Sequence, residues 1–269
     1  MQDGSKTYVL GTGNAAARRL DIQNEMLAIK SYDHLKKAGL SKGQTVFDIG
    51  CGSGAVTIYL AKAVGKEGRV YAVDVSQKQI EYAKEKVKKE GLDNVTFIND
   101  DIAFASKLPQ NIADIVYIRL VLMHMSNPVK AIEQMKLILK SGGVVVSQEF
   151  YGREALNTSS YNAINTYINT LFQLREYYGL DYNIGEKLEL LFKNAGYNKV
   201  HANHVRDILT SKESKEIFLL SFAEWRNKAI EAKILSLAET ELLEKMLKEI
   251  PETDEEAISS MACFLVAQK

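Results

Sequence analysis

Cysteine is nearly absent from this chain: Cys51 and Cys263 are the 2 copies in 269 residues. One stands in a glycine-rich turn and the other in an apolar strand, which suits a reducing compartment better than a disulfide scaffold. Two thiols so far apart build no thiolate cluster, and no metal site is expected. Net charge is also lacking, with Lys plus Arg and Asp plus Glu each numbering 34, so no global field draws nucleic acid or an anionic membrane. No apolar run approaches the ~18 residues of a membrane span, and the first residues carry no signal-peptide core. The expected location is therefore the cytoplasm, with neither membrane nor nucleic acid as partner. What is present, 46% hydrophobic and 25% charged residues, is ordinary for a soluble globular protein with room for one core and a small lid.

The chain is organised around Val46-Phe47-Asp48-Ile49-Gly50-Cys51-Gly52-Ser53-Gly54, an apolar run ending in a carboxylate and then three glycines in five positions. Glycine lets the backbone take positive φ and approach a ligand, and the helix beginning at Ala55 offers free N–H groups at its start. Gly50, Gly52 and Ala55 also satisfy a G-x-G-x-x-G/A dinucleotide fingerprint, so an NAD-linked oxidoreductase stays open. Three features point elsewhere. Asp48 ends its strand where it can accept hydrogen bonds from a cationic group and would sit poorly beside a pyrophosphate. Arg69-Val70-Tyr71-Ala72-Val73-Asp74 is a second apolar strand, ending in an acid suited to vicinal ribose hydroxyls, with Val75 next to it. A third runs from Val95 to Ile102, with Asp101 placed for an adenine amino group and Ile102 to pack on the ring. Three successive strands ending in carboxylates suit a ligand that is cationic at one end.

Through Asp48-Ile49-Gly50-Cys51-Gly52-Ser53-Gly54, Asp74, Asp101 and Leu139-Lys140-Ser141-Gly142-Gly143, the chain resembles the class I, Rossmann-like S-adenosylmethionine (SAM)-dependent methyltransferases. The run from Arg119 to Pro128 is similar to the segment after the fourth strand in small-molecule members. The resemblance covers roughly residues 45 to 150. It implies SAM as cofactor, S-adenosylhomocysteine as product, and a small organic acceptor with an oxygen, nitrogen or carbon nucleophile. It also implies donor contacts from Asp48, Gly50, Gly52, Gly54, Asp74, Val75, Asp101, Ile102, Arg119 and Leu120. A helix over 15 to 38 would cover the site with Tyr8, Arg19 or Gln23 facing it; the alternative is an ordinary packing helix with solvated polar residues. A non-catalytic SAM-binding module remains a further alternative, since binding residues outlast loss of catalysis.

Strand and helix periods alternate from 45 to 150, which predicts an α/β doubly wound, mostly parallel seven-stranded sheet with helices on both faces. The predicted organisation is an arm and cover helix over 1–40, a SAM-binding core over 41–150, a helical lid insertion over 151–195, and a C-terminal part of the sheet over 196–269 with a helical insertion over 211–250. Ile22, Met26, Ile29, Tyr32 and Leu35 form one predicted stripe on the first helix. Phe218, Phe222, Trp225 and Ala229 form another, and Leu235, Ala238, Leu242 and Met246 a third. The last strand, Met261 to Val266, is expected antiparallel within the sheet. Six of the 13 tyrosines lie between Tyr151 and Tyr182, so this segment either shapes an acceptor pocket or packs the added helices on the core.

A methyl carried on a sulfonium needs alignment with its acceptor more than acid catalysis, and a base only where the acceptor must lose a proton. His124, just after the fourth strand, is the candidate base; the alternative is a histidine that caps or orients its loop. Glu149 and Tyr151 follow the fifth strand and are candidates for acceptor contact by position. The absence of an Asn/Asp-Pro-Pro-Tyr sequence disfavours nucleic-acid amino groups as acceptors.

Overall fold

The computed structural model describes residues 14–105, 108–151, 162–209, 212–250 and 257–269; the expectation for Tyr8 lies outside them. Seven strands form one sheet: β1 Thr45–Ile49, β2 Arg69–Asp74, β3 Val95–Asn99, β4 Ala113–Arg119, β5 Leu139–Tyr151, β6 Asn198–Leu209 and β7 Ala257–Gln268, in the order β3-β2-β1-β4-β5-β7-β6. β7 runs antiparallel to both neighbours, and the β1 to β5 pairings are parallel. The strand order reverses between β1 and β4, and a crevice outside the carboxyl ends at such a point is where ligands bind in open α/β sheets.

Alternation along each strand divides the core into two faces. Phe47, Ile49, Val116, Ile118, Val145 and Leu265 point to one face. There they meet α4 (Pro128–Ile138) and α6 (Ile184–Asn194) through Met135, Leu188 and Phe192. Val46, Val70, Ile115, Tyr117 and Val146 point to the other and meet Leu60 and Val64 of α2 (Ala55–Val64) and Leu35 of α1 (Asn14–Lys37). α3 (Gln77–Lys89) lies along β2 and β3, with Ser76 capping its first turn through Gln79 N–H.

A separate apolar cluster joins α5 (Asn162–Tyr177), α7 (Lys212–Glu231) and α8 (Leu237–Glu249) around Leu174, Phe222, Trp225 and Leu247. Met26 and Tyr182 pack against both this cluster and the sheet core. The segment from Ile184 to Ala195 stands apart from α5: it forms α6, which packs on the sheet.

Two predicted stripes need correction. Ile29 is 82% exposed, because the buried face of α1 turns from Ala16, Arg19 and Ile22, beside α7, to Leu27, Ser31 and Leu35, over the sheet. On α8 the buried positions are Thr240, Leu243 and Leu247, and Leu242 faces outward. The capping box of Ser236 with Glu239 fixes where that helix begins, and so which residues turn inward.

Candidate functional site

Gly50, Gly52 and Gly54 all adopt positive φ (71°, 50° and 79°), a region that costs other residues about 1–2 kcal/mol. Two of the three are also sterically required. A Cβ on Gly50 would overlap Val121 Cγ2, and one on Gly54 would lie 2.8 Å from Ala83 Cβ. The turn is thereby wedged between the segment after β4 and helix α3. Gly52 differs: its nearest neighbour would be Leu20 Cδ1 at 3.5 Å.

Asp74 ties this turn to the next strand. Its Oδ2 accepts from Gly52 N–H at 2.9 Å and its Oδ1 from Ser76 N–H at 2.8 Å. Burial raises the Asp74 pKa, and the two N–H groups oppose that rise. Asp48 is more deeply placed, accepting from the Thr57 hydroxyl at 2.5 Å. Burial pushes its pKa up to about 6 against the Thr57 bond and the nearby Arg119 charge. Asp101 follows β3, where its Oδ1 accepts from Ala103 N–H at 2.9 Å; Ile102 is buried, and Val75 is exposed on the rim. The topology thus brings Asp48, the glycines, Asp74, Val75, Asp101 and Ile102 to adjacent carboxyl ends of β1, β2 and β3.

Arg119 ends β4 and reaches α1, donating to Ser31 Oγ at 3.2 Å and Asn24 Oδ1 at 3.0 Å. The Ser31 hydroxyl donates onward to Gln148 Oε1 at 2.7 Å. Leu120 is nearly buried with φ 55°, its N–H donating to Gln148 O. Arg19 turns toward α7, its Nε 2.8 Å from Glu224 Oε1 in a buried ion pair, and its Nη1 is 3.5 Å from Gln23 Oε1 on its own helix. Leu20 and Asp21 of α1 touch the glycine turn, the Asp21 Oδ1 accepting from the Ser53 hydroxyl and from Lys86 Nζ.

His124 closes the 3-10 turn Leu122–His124. Glu149, fully buried on β5, holds that turn by accepting from the N–H groups of Val121, Leu122 and Met123 at 3.0, 2.9 and 3.3 Å. Burial nonetheless raises its pKa to about 7. Glu149 is therefore committed to the loop backbone, and Tyr151 lies edge-on to His204. The Nδ1 atom of His124 is 3.0 Å from Arg175 Nη1, and Tyr182 Oη lies nearly equidistant from the two ring nitrogens, 3.4 Å from Nδ1 and 3.3 Å from Nε2. A guanidinium only donates, so Nδ1 is the acceptor and Nε2 carries the proton. Burial, then the charges of Arg175 and Arg19, push the His124 pKa well below its ordinary value, leaving it neutral at physiological pH. Arg175 also stacks over the Tyr182 ring, its guanidinium carbon 3.1 Å from the centroid. Neither Arg175 nor Glu224 carries a local sequence signal; Tyr182 is marked only by the density of tyrosines around it.

Residues 40–196, more than half of the chain, match the family described as "Methyltransferase domain". The chain is 28% identical over 222 residues to a demethylmenaquinone methyltransferase of Anoxybacillus flavithermus, covering 74% of this chain and 91% of that one. It is 34% identical over 134 residues to the enzyme of the same name from Geobacillus stearothermophilus, covering 48% of this chain and just 57% of that one. Among solved structures, a SAM-dependent methyltransferase from Aquifex aeolicus superposes with a TM-score of 0.55 at 26% identity, over 72% of this chain and 93% of that one. No described helix is long and apolar enough to cross a membrane. Fold, glycine turn and family match agree, and they set aside the NAD-linked alternative: this chain belongs to the methyltransferase-domain family and is an enzyme that uses SAM as its methyl donor.

Proposed function

We propose that this enzyme methylates a carbon or oxygen of a small, quinone-type aromatic acceptor, held where the carboxyl edge of the sheet meets the α5, α7 and α8 cluster. The observation that carries this reading is the convergence of His124, Arg175 and Tyr182 at that junction. Of these, His124 stands three residues beyond Val121, which itself abuts Gly50. The names of the two bacterial relatives supply the acceptor class.

The residues suit the donor. Gly52 leaves room beside the turn, the backbone N–H groups at the start of α2 face it, and Asp48, Asp74 and Asp101 supply acceptors at three neighbouring strand ends. Asp74 would hold the ribose, Asp101 and Ile102 the adenine with Val75 at its rim, and Asp48 the charged end. Arg119 and Leu120 shape the wall beneath α1. When bound, SAM supplies a methyl group activated by its sulfonium. The protein aligns the acceptor and excludes water, and orientation of this kind lowers a barrier by ~7–11 kcal/mol in favourable cases. α5, α7 and α8 serve as the lid, α1 as the cover helix, and α6 belongs to the sheet. His124, neutral and with Nδ1 engaged, acts as an orienting N–H donor in place of a general base.

Methyl-labelled SAM incubated with the protein and reduced 1,4-naphthoquinone, beside a fractionated metabolite pool, tests this reading. Label in a methylated naphthoquinol supports it. Label only in a different metabolite identifies another acceptor and rejects the quinone class. His124→Ala should lower turnover while leaving SAM affinity within about twofold, which is a few tenths of a kcal/mol. Undiminished turnover would remove His124 from the acceptor site.

A further inference from the structure

Glu149 is a carboxylate at full burial, and its partners among the described residues are the N–H groups of Val121, Leu122 and Met123. Few titratable groups surround it. Cys263 stands opposite on β7, its thiol pushed up to about 12 by burial and then by the Glu149 charge. His204 of β6 lies edge-on to Tyr151, further along β5. Glu189 of α6 pairs with Lys193 at the surface, Arg119 of β4 reaches α1 on the other face of the sheet, and the buried residues of α4 and α6 are uncharged. Burial therefore prevails over the three hydrogen bonds and raises the Glu149 pKa to about 7. A folded value above the ordinary 4.5 gives a contribution to stability that is present below 4.5 and lost as the pH rises through about 7. The ionised carboxylate thus costs the fold stability, yet it is the form that the turn requires. Ionised, it accepts all three N–H groups; protonated, one oxygen becomes a hydroxyl, a donor turned on a donor. A charge kept at the expense of stability marks a functional position.

The function follows from what the turn connects. Val121 is wedged on Gly50, and His124 closes the turn at its other end. The wedge fixes where the turn begins, and Glu149 fixes the direction in which it leaves. We propose that Glu149 is a positioning residue for methyl transfer, its ionised carboxylate holding the Leu122–His124 turn so that His124 is presented to the acceptor. The inference rests on the acceptor location given under the proposed function. Glu149 acts through the turn, and turnover requires its charge. Donor binding does not, because Asp74 supports the glycine turn separately.

The test is an NMR titration of the protein with S-adenosylhomocysteine bound, set beside turnover of reduced 1,4-naphthoquinone with labelled SAM over the same pH range. The amide resonances of Val121, Leu122 and Met123 and the Cε1–H resonance of His124 should move together, with one midpoint at about 7. His124 stays neutral there, its own pKa lying well below the ordinary value, so its ring reports the carboxylate. Turnover should share that midpoint and fall ~10-fold per pH unit on its acid side. Glu149→Gln, neutral and of the same size, should erase the midpoint from these resonances and lower turnover at alkaline pH. Its affinity for S-adenosylhomocysteine should stay within about twofold of native, and it should melt no earlier than the native protein. His204→Gln should leave the midpoint in place. Still amides, a His124 ring that does not follow them, or turnover that is flat through the midpoint overturns the inference. So does full turnover in Glu149→Gln, or a midpoint that vanishes in His204→Gln. Should Glu149→Gln fail to fold, the native titration alone decides. Absence of methylated naphthoquinol at every pH rejects the quinone class alone, and the resonances then decide the inference.

Discussion

Asp48 and Asp74 are neighbours at adjacent strand ends, yet their surroundings give them different work. Asp74 accepts from two backbone N–H groups that shape the turn, so Asp74→Ala removes a support of the turn together with the proposed ligand contact. SAM affinity measured by calorimetry should fall by about 1.5–3 kcal/mol, the range for a hydrogen bond to a charged group; unchanged affinity would place Asp74 outside the site. Asp48 has a single side-chain hydrogen bond, from Thr57, and burial raises its pKa from 3.8 to about 6. A carboxyl with a raised folded pKa binds its proton more tightly folded than unfolded. Its contribution to stability is therefore present at low pH and lost as the pH climbs from 3.8 through about 6. A cationic donor favours the ionised form and drives the proton off. Donor affinity should then rise with pH up to about 6 and level beyond it, with proton release visible as different apparent enthalpies in buffers of different ionisation enthalpy. Asp48→Asn should abolish the difference, which also separates Asp48 from Glu149, whose pKa is raised to about 7 under the neighbouring loop. Identical enthalpies in both buffers for the native protein would sink the assignment.

At the scale of elements, two contacts are singled out by their burial. Gly50 combines positive φ with a wedge against Val121, whereas Gly91 has φ 67° and nothing within 4 Å of an added Cβ. Gly91→Ala should cost only the conformational strain, about 1–2 kcal/mol. Gly50→Ala should add overpacking of about 1–3 kcal/mol and abolish donor binding. Thermal melts of the two proteins that coincide would argue against the wedge. The Arg19–Glu224 pair joins α1 to α7 with both side chains nearly inaccessible, at 3% and 5%. Removing one partner of a buried pair leaves the other charge in a poor medium, so Glu224→Gln should lose about 3–5 kcal/mol in urea unfolding. A loss under about 1 kcal/mol would mean that the pair behaves as a surface one. The stripe over Phe218, Phe222, Trp225 and Ala229 was legible because helical period and burial coincide along α7. Those on α1 and α8 were less so, since the partner of α1 changes along its length and the capping box, more than apolar content, sets the register of α8.

Across the whole molecule, α1 is the element that ties the parts together: it meets α7 through its first half, the glycine turn through Leu20 and Asp21, and the sheet through Leu35. Ligand at the glycine turn should therefore slow amide hydrogen exchange in α1 and residues 49–56 when S-adenosylhomocysteine is added, while the outer helix α8 changes little. Equal protection of α1 and α8 would instead indicate that the entire helical cluster responds as one unit.

The sequence by itself determined the sheet, the place of the glycine turn and the carboxylates that follow β1, β2 and β3. Those features rest on local physics: strand and helix periods, positive φ at glycine, and an acid at the end of an apolar run. Only the tertiary structure decided that α5 joins α7 and α8 while α6 joins the sheet, that Arg19 turns toward α7, and that Glu149 holds a loop. It also brought Arg175 to His124 across 51 positions and Arg19 to Glu224 across 205. Such meetings depend on how helices pack against one another, and the periodicity of a single helix carries no record of which distant charge its buried face will find.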